Sequence, residues 1–309
     1  MAAIQTEKLE KGYSNFFNRR QDTLALKNLS FEVREGETFG FLGPNGAGKT
    51  TTILLLLNLI RPSSGSAHLF GLPVTDARVH RRLGYLPESV NLHDYYTGQG
   101  LLEFYAALLK VPSEIRGARI AELLKLLGLE DAAQKSVSKY SKGMLQRLGF
   151  AQAMLHDPDL LILDEPTASL DPVGRKEFRD ILVELKRRGK TIFISSHILS
   201  EVESVCDRVA ILQKGELKRI GTLQELSTAR STRLILKKVP GTVLEALAAT
   251  SAEVTMLRGQ ITVKCGDAPT RTRIEELLQQ HGIQPERTEV ETQSLEDIFF
   301  STIDPPPRI

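Results

Sequence analysis

Short apolar runs that stop at polar or glycine-rich positions punctuate the first two thirds of the chain. Thr38 to Leu42, Leu83 to Glu88, Leu160 to Leu163 and Thr191 to Ser195 each read as a strand. The run from Leu160 to Leu163 is continuous, with none of the alternation of a half-buried strand, so it predicts a parallel sheet covered on both faces in an α/β layer. Between the strands the period lengthens to that of helices, at Ile53 to Leu59, Tyr140 to Met154 and Pro172 to Arg187. Leu101, Leu102, Phe104, Tyr105, Leu108 and Leu109 form one apolar stripe. After Pro112, a second stripe follows at Ile120, Leu123, Leu124, Leu126 and Leu127. A contiguous helical insert of this size between sheet strands predicts a separate lobe.

The flanking patterns differ. Ile4 to about Leu9 reads as a first strand, followed by a polar insert from Ser14 to Asp22. Leu29 to Val33 alternates as an edge or hairpin strand does. Ala67 to Phe70 reads as a short strand, Arg78 to Arg82 as a short basic helix, and Val209 to Leu217 as a closing hairpin. Beyond a polar junction at Ser227 to Thr232 the rhythm changes. Arg233 to Val239 predicts a strand, Gly241 to Ala249 a helix, and Val254 to Cys265 a hairpin turning at Arg258-Gly259-Gln260. Arg271 to His281 predicts a helix, Arg287 to Glu291 a strand, and Ser294 to Phe300 a last short helix. The order β-α-β-β-α-β is that of a ferredoxin-like unit. The expected layout is therefore an α/β nucleotide-binding domain over 1–226, with its helical lobe at about 89–155, and a small α+β domain over 230–302.

Composition narrows the function. The chain has 309 residues, 41% hydrophobic and 25% charged, with a formal charge of +2. Near-neutral charge gives no electrostatic footprint for nucleic acid. Cys206 and Cys265 lie far apart, without metal-ligand spacing, and read as small core residues. The most apolar stretch, Ile53 to Ile60, is far short of the roughly 20 residues that cross a bilayer, so a membrane role is expected to be indirect.

The candidate chemistry gathers where strands end. Gly43-Pro44-Asn45-Gly46-Ala47-Gly48-Lys49-Thr50-Thr51 follows an apolar strand and opens a helix, the context that a G-x-x-x-x-G-K-[ST] loop requires. Its glycines let successive backbone N–H groups turn inward, and the helix start adds its own free amides and positive dipole end. The loop is built to hold a polyphosphate, with Lys49 reaching the β and γ phosphates and Thr50 ligating Mg²⁺. Asp164 and Glu165 end an apolar strand at the crevice where open α/β sheets bind ligands. Read on its own that pair is a solvated strand end or a catalytic one; beside the glycine loop it fits a Mg²⁺ ligand and a general base. His197 ends the next strand, as a core histidine or a γ-phosphate contact. Glu88 ends another, as a metal or water ligand or a surface residue.

Taken together, 43-GPNGAGKTT-51, 160-LLILDE-165, 140-YSKGMLQR-147, 169-SLD-171 and His197 stand in the order of the Walker A, Walker B, signature, D-loop and switch-histidine motifs. The chain resembles the nucleotide-binding subunit of an ATP-binding cassette transporter across residues 4 to about 225. The resemblance implies a P-loop cassette with a RecA-like core, an antiparallel β subdomain and a helical lobe. It also implies hydrolysis of ATP with Mg²⁺ in a head-to-tail homodimer, with Glu165 and His197 catalytic. Gly43, Asn45, Gly46, Ala47, Gly48, Lys49, Thr50 and Thr51 would bind phosphate, and Thr50, Asp164 and Glu88 would hold the metal. Ser141, Lys142, Gly143 and Met144 would face the nucleotide of a second copy, and Ser169, Leu170 and Asp171 would couple the two sites. Tyr13 would stack on adenine, with Phe16 or Phe17 as rivals. The helical lobe would receive the coupling helix of a transmembrane permease, holding the chain at the cytoplasmic face of the membrane. Lys142 and Met144 depart from the family's usual glycine and glutamine in the signature, and Glu88 replaces a glutamine. Gly84 to Glu88 with Tyr140 to Met144 resemble the branch that powers ABC-2 type exporters, in which a C-terminal extension ending like Ser294 to Phe299 is common. Two other readings are a soluble cassette acting on a non-transport partner, against which stand a single cassette and no basic aromatic stripe, and a regulatory interaction module.

Overall fold

The computed structural model describes residues 1–13, 23–226, 229–237, 239–248, 250, 252–257, 260–265, 268–292 and 294–303. The polar insert with Phe16 and Phe17, and the turn positions Arg258 and Gly259, lie outside them. The chain divides into two compact units, Met1–Leu223 and Gln224–Ile309.

The first unit begins with β1 (Ala2–Tyr13), β2 (Thr23–Arg34), β3 (Thr38–Leu42) and α1 (Lys49–Leu56). Next come β4 (Ser64–Leu69), β5 (Leu72–Pro73), α2 (Ala77–His80) and β6 (Leu83–Leu86). The helical lobe follows as α3 (Gly98–Leu108), α4 (Ser113–Leu126) and α5 (Lys142–Met154). The chain then returns to the sheet through β7 (Leu160–Asp164), α6 (Pro172–Arg187), β8 (Thr191–Ser196), α7 (Leu199–Val205), β9 (Arg208–Gln213) and β10 (Glu216–Thr222). The short α8 (Leu223–Leu226) carries the boundary between the units.

Two sheets make the core of this unit. One is antiparallel, in the order β2-β1-β4-β5. The other has the order β10-β9-β3-β8-β7-β6, parallel from β9 to β6 with β10 as an antiparallel edge. Every residue of β3, β7 and β8 is buried, as expected of parallel strands covered on both faces. Phe31 of the antiparallel sheet packs against Phe39, Phe41 and Phe193 of the parallel one, with ring centroids 5.8, 5.4 and 6.1 Å away. These rings fuse the two layers into one apolar core beneath α1. The architecture is a RecA-like α/β core with an antiparallel sheet and a helical subdomain.

In the second unit, β11 (Ala229–Lys237), α9 (Gly241–Ala248), β12 (Glu253–Leu257), β13 (Gln260–Cys265), α10 (Ala268–Gln280), β14 (Arg287–Thr292) and α11 (Leu295–Ile303) follow in order. The sheet order β12-β13-β11-β14, antiparallel throughout, is the ferredoxin-like arrangement. Val243 and Leu247 of α9 and Ile274 and Leu278 of α10 pack on Leu234, Leu236, Ile261 and Val263 of the sheet.

Several elements differ from the pattern. β1 runs beyond Leu9 to Tyr13, because Lys8 takes a positive φ of 45° at a register shift that breaks the alternation without ending the strand. β11 starts at Ala229, inside the polar stretch that reads as a junction, because pairing with β14 continues to Ala229 opposite Thr292. β9 is a hairpin partner of β10 and also a parallel neighbour of β3. α7 lies in a stretch with no clear apolar period. Among the described residues no helix is long and apolar enough to cross a membrane.

Candidate functional site

β3 delivers the glycine loop to the C-terminal edge of the parallel sheet. Gly48 is the N-cap of α1 with φ 108°, a conformation that only glycine adopts easily, and a Cβ there would sit 2.6 Å from Leu26 Cδ2. No side chain caps the helix, and its first turn holds no acid. The first amides of α1 therefore keep their donors for an anion. The loop is braced from a distant part of the chain. Gly215, in the β9–β10 turn, donates its amide to Ala47 O at 2.9 Å, and its carbonyl accepts from Lys27 N at 2.8 Å.

A cavity of about 350 Å³ opens beside this loop. It is lined by Pro44 to Thr51 together with Ala25, Glu88, Asp164, Glu165 and His197. Lys49 is buried, donates to Gly43 O at 2.7 Å and lies 3.5 Å from Glu165 Oε1. Thr50 Oγ1 donates to Asp164 Oδ2 at 3.3 Å, and Ser195 Oγ donates to Asp164 Oδ1. Burial raises the Asp164 carboxyl above its ordinary range, against the lowering effect of hydrogen bonds from Ser195 and Thr50. Tyr85, on the neighbouring strand, is pushed up to about 12, first by burial and then by the charges of Asp164 and Glu88.

Glu165 stands just past the end of β7 with φ 47°, a left-handed backbone that strains a side chain of this size. Hydrogen bonds to the next strand end hold it there. Its amide donates to Ser195 O at 3.0 Å, and its Oε2 accepts from the His197 amide at 3.2 Å. The His197 ring nitrogen Nδ1 lies 2.7 Å from the same oxygen. The carboxylate thus sits between a buried ammonium and an exposed imidazole, at the mouth of a phosphate-sized cavity.

The residues present suit a hard cation. Thr50 and Asp164 already meet through their oxygens, and Glu88 lines the same cavity. Among the described residues no group of three or more His, Cys, Asp or Glu could hold a metal by itself. So sparse an oxygen set matches Mg²⁺, which keeps waters and takes oxygens from substrate phosphates.

Other residues singled out in the sequence lie elsewhere. Tyr13 ends β1, exposed, with Lys11 Nζ 5.2 Å from its ring centre, and does not line the cavity. Ser141 is the N-cap of α5, its hydroxyl accepting from Met144 N at 3.2 Å, and Lys142 beside it is exposed. Neither lines the cavity of its own chain. Asp171 caps α6 by accepting from Gly174 N at 2.8 Å, behind Ser169 and Leu170. The structure adds Ala25 to the lining, and adds Ser195, fully buried, as a donor to Asp164. Ser195 reads in the sequence as a small strand residue; only its place one position before the end of β8, opposite Asp164, signals more.

Residues 26–168 match the family model described as ABC transporter. The chain is 50% identical over 233 residues to an uncharacterized ABC transporter ATP-binding protein of Nostoc sp., covering 75% of this chain and 70% of the relative. An uncharacterized ABC transporter ATP-binding protein of Bacillus subtilis, YxlF, is 39% identical and aligns along 90% of this chain and 94% of its own. A fluoroquinolones export ATP-binding protein of Mycobacterium tuberculosis is 40% identical over 68% of this chain and 69% of its own. Among solved structures, a dimeric ATP-binding cassette in a post-hydrolysis state bound to ADP and Pi superposes with a TM-score of 0.65 at 25% identity. It covers 71% of this chain and 98% of that one.

Proposed function

The chain belongs to the family of ABC transporter ATP-binding proteins, and from that premise we propose that it hydrolyses ATP in a two-chain site to drive export through a membrane permease. The observation that carries the reading is the Glu165 carboxylate, held between Lys49 and His197 at the edge of the phosphate-loop cavity. The loop amides and Lys49 bind the β and γ phosphates, Lys49 exchanging its contacts with Gly43 O and Glu165 for phosphate oxygens. Relieved of that ion pair, Glu165 takes a proton from the attacking water, while His197 fixes its orientation. Thr50, Asp164 and Glu88 would hold Mg²⁺, which neutralises charge on the phosphate oxygens when bound. Ser141 to Met144 do not line this cavity and serve the nucleotide of a second copy, with Ser169 to Asp171 between the two sites. The dimeric relative with ADP and Pi supports that assembly.

The helical lobe takes the permease's coupling helix, and the chain works at the cytoplasmic face of the membrane. The motifs of the ABC-2 exporter branch, and the export named for the mycobacterial relative, support the outward direction. Tyr13 stacks on adenine at the far side of the nucleotide. The cassette comprises 1–226, and 230–302 is an accessory domain.

Glu165→Gln keeps the size of the side chain and removes its basicity. Turnover is expected to fall at least ~100-fold while ATP-dependent dimerisation persists. Phosphate release and size-exclusion elution, measured on the same samples, decide it: wild-type turnover in the variant removes Glu165 from its role.

A further inference from the structure

Behind the cavity, on the face of β7 and β8 away from the phosphate loop, lies a second polar cluster that the reaction above does not use. Thr167, two residues after Glu165, is buried and donates its hydroxyl to Glu201 Oε2. Glu201 is on α7, four residues after His197, with its side chain 19% exposed. Its other oxygen, Oε1, accepts no hydrogen bond and lies 3.7 Å from Arg175 Nε. Arg175, on α6, donates from that same Nε to Leu170 O at 3.1 Å. Apolar side chains enclose the cluster, with Phe178, Val202 and Val205 all buried.

The spacing gives the cluster a mechanical meaning. Glu165 and Thr167 are on one short segment, and His197 and Glu201 on another. Past the β7–β8 pairing, side chains tie the segments at two places, Glu165 to His197 at the cavity and Thr167 to Glu201 behind it. The sheet pairing and the Glu165 amide bond to Ser195 O anchor the two segments where they leave the strands, and the second side-chain tie fixes their orientation beyond that point. Arg175 extends the second tie to Leu170, in the turn that precedes α6. Glu201 Oε1, without a hydrogen bond and 3.7 Å from that guanidinium, makes the second tie sensitive to where Arg175 sits.

We propose that Glu201 is a positioning residue, holding the Glu165 and His197 segments in catalytic register and linking that register to the Ser169–Asp171 turn through Arg175. The proposal rests on the reading of Glu165 as general base. It predicts that losing the second tie lowers the rate of the chemical step and leaves nucleotide binding alone, since neither Thr167 nor Glu201 lines the cavity.

The test uses the full chain with ATP and Mg²⁺, comparing wild type, Glu165→Gln, Thr167→Val, Glu201→Gln, Glu201→Ala and the Thr167→Val/Glu201→Ala double variant. Folding is checked by thermal denaturation. Thr167→Val and Glu201→Ala are each expected to lower kcat roughly tenfold with KM for ATP within about twofold, the scale of a small misplacement of a reacting group. The double variant should fall no further than the singles, because both remove one tie. Glu201→Gln, which still accepts from Thr167 and loses only the charge facing Arg175, should fall between wild type and Glu201→Ala. Unchanged kcat in folded Thr167→Val overturns the proposal, as does a double variant whose losses multiply, or a loss confined to KM. Full turnover in Glu165→Gln overturns instead the reading on which the proposal rests.

Discussion

The two helix starts assigned to phosphate, those of α1 and α5, are built in opposite ways. α1 begins at a left-handed glycine with no side-chain cap and no acid in its first turn, with a buried lysine and a cavity beside it. α5 begins at Ser141, in extended backbone, whose hydroxyl already satisfies the Met144 amide, with Ser141 and Lys142 exposed. The first start is poor as a helix terminus and good as an anion site. The second is a stable terminus without any ligand, and it still has a hydroxyl proton and a lysine charge to offer outward. One chain thus holds a formed pocket and, apart from its lining, a finished helix start. That difference fits the proposed site shared between two copies, in which each half must be stable before the other arrives.

Substitutions separate the two halves. The largest effect is expected from Lys49→Ala, which removes the only buried ammonium of the cavity among the described residues. ATP affinity of the isolated chain should drop ~100-fold or more, about 3 kcal/mol, as measured by titration calorimetry. An unchanged Kd would show that the α1 side is no phosphate site. Ser141→Ala should behave differently, costing about 1 kcal/mol of stability through the lost cap while lowering turnover roughly tenfold. Its ATP affinity as a monomer should match wild type. If affinity falls in step with turnover, the two starts serve one pocket and the contrast between them collapses.

A smaller effect sharpens the contrast from the side of stability. The fold raises the Asp164 carboxyl through burial, so ionising it opposes folding. That penalty is absent below the unfolded pKa, develops as pH rises, and is complete above the folded one. Asp164→Asn should therefore raise Tm of the nucleotide-free chain by a few degrees at neutral pH, with the gain shrinking toward roughly pH 4. A melting series across that range with wild type the more stable at pH 7 would contradict it. The α5 start, which buries no charge, has no comparable variant.

What could be read from sequence follows the range of the forces involved. The glycine loop, the apolar run ending at Asp164, and Ser141 before its helix are local patterns, and periodicity together with capping chemistry locates them. Glu88 and His197 are legible only as strand ends, yet the parallel sheet brings all such ends to one edge. The ferredoxin-like order of the second unit follows from turn signals and period changes. The remainder depends on pairing across the chain. Nothing near Ser195 announces that it will bond Asp164, and nothing near Thr167 or Glu201 announces the other. α7, seven residues with no side-chain cap, has too short a period to register. Ala25 reaches the cavity because Gly215 lets the β9–β10 turn press so close that a Cβ there would lie 2.5 Å from the Ala25 carbonyl.

The brace by Gly215 also bears on the order in which the molecule is made. β3 carries the phosphate loop, yet its two neighbours are β8 and β9, and the amide that steadies Ala47 belongs to the turn after β9. A growing chain that has cleared the ribosome only as far as α6 owns the whole glycine motif with neither flanking strand in place. The motif is translated early and its packing partners late, so the loop gains its two flanking strands and the Gly215 brace only when the C-terminal part of the cassette has emerged.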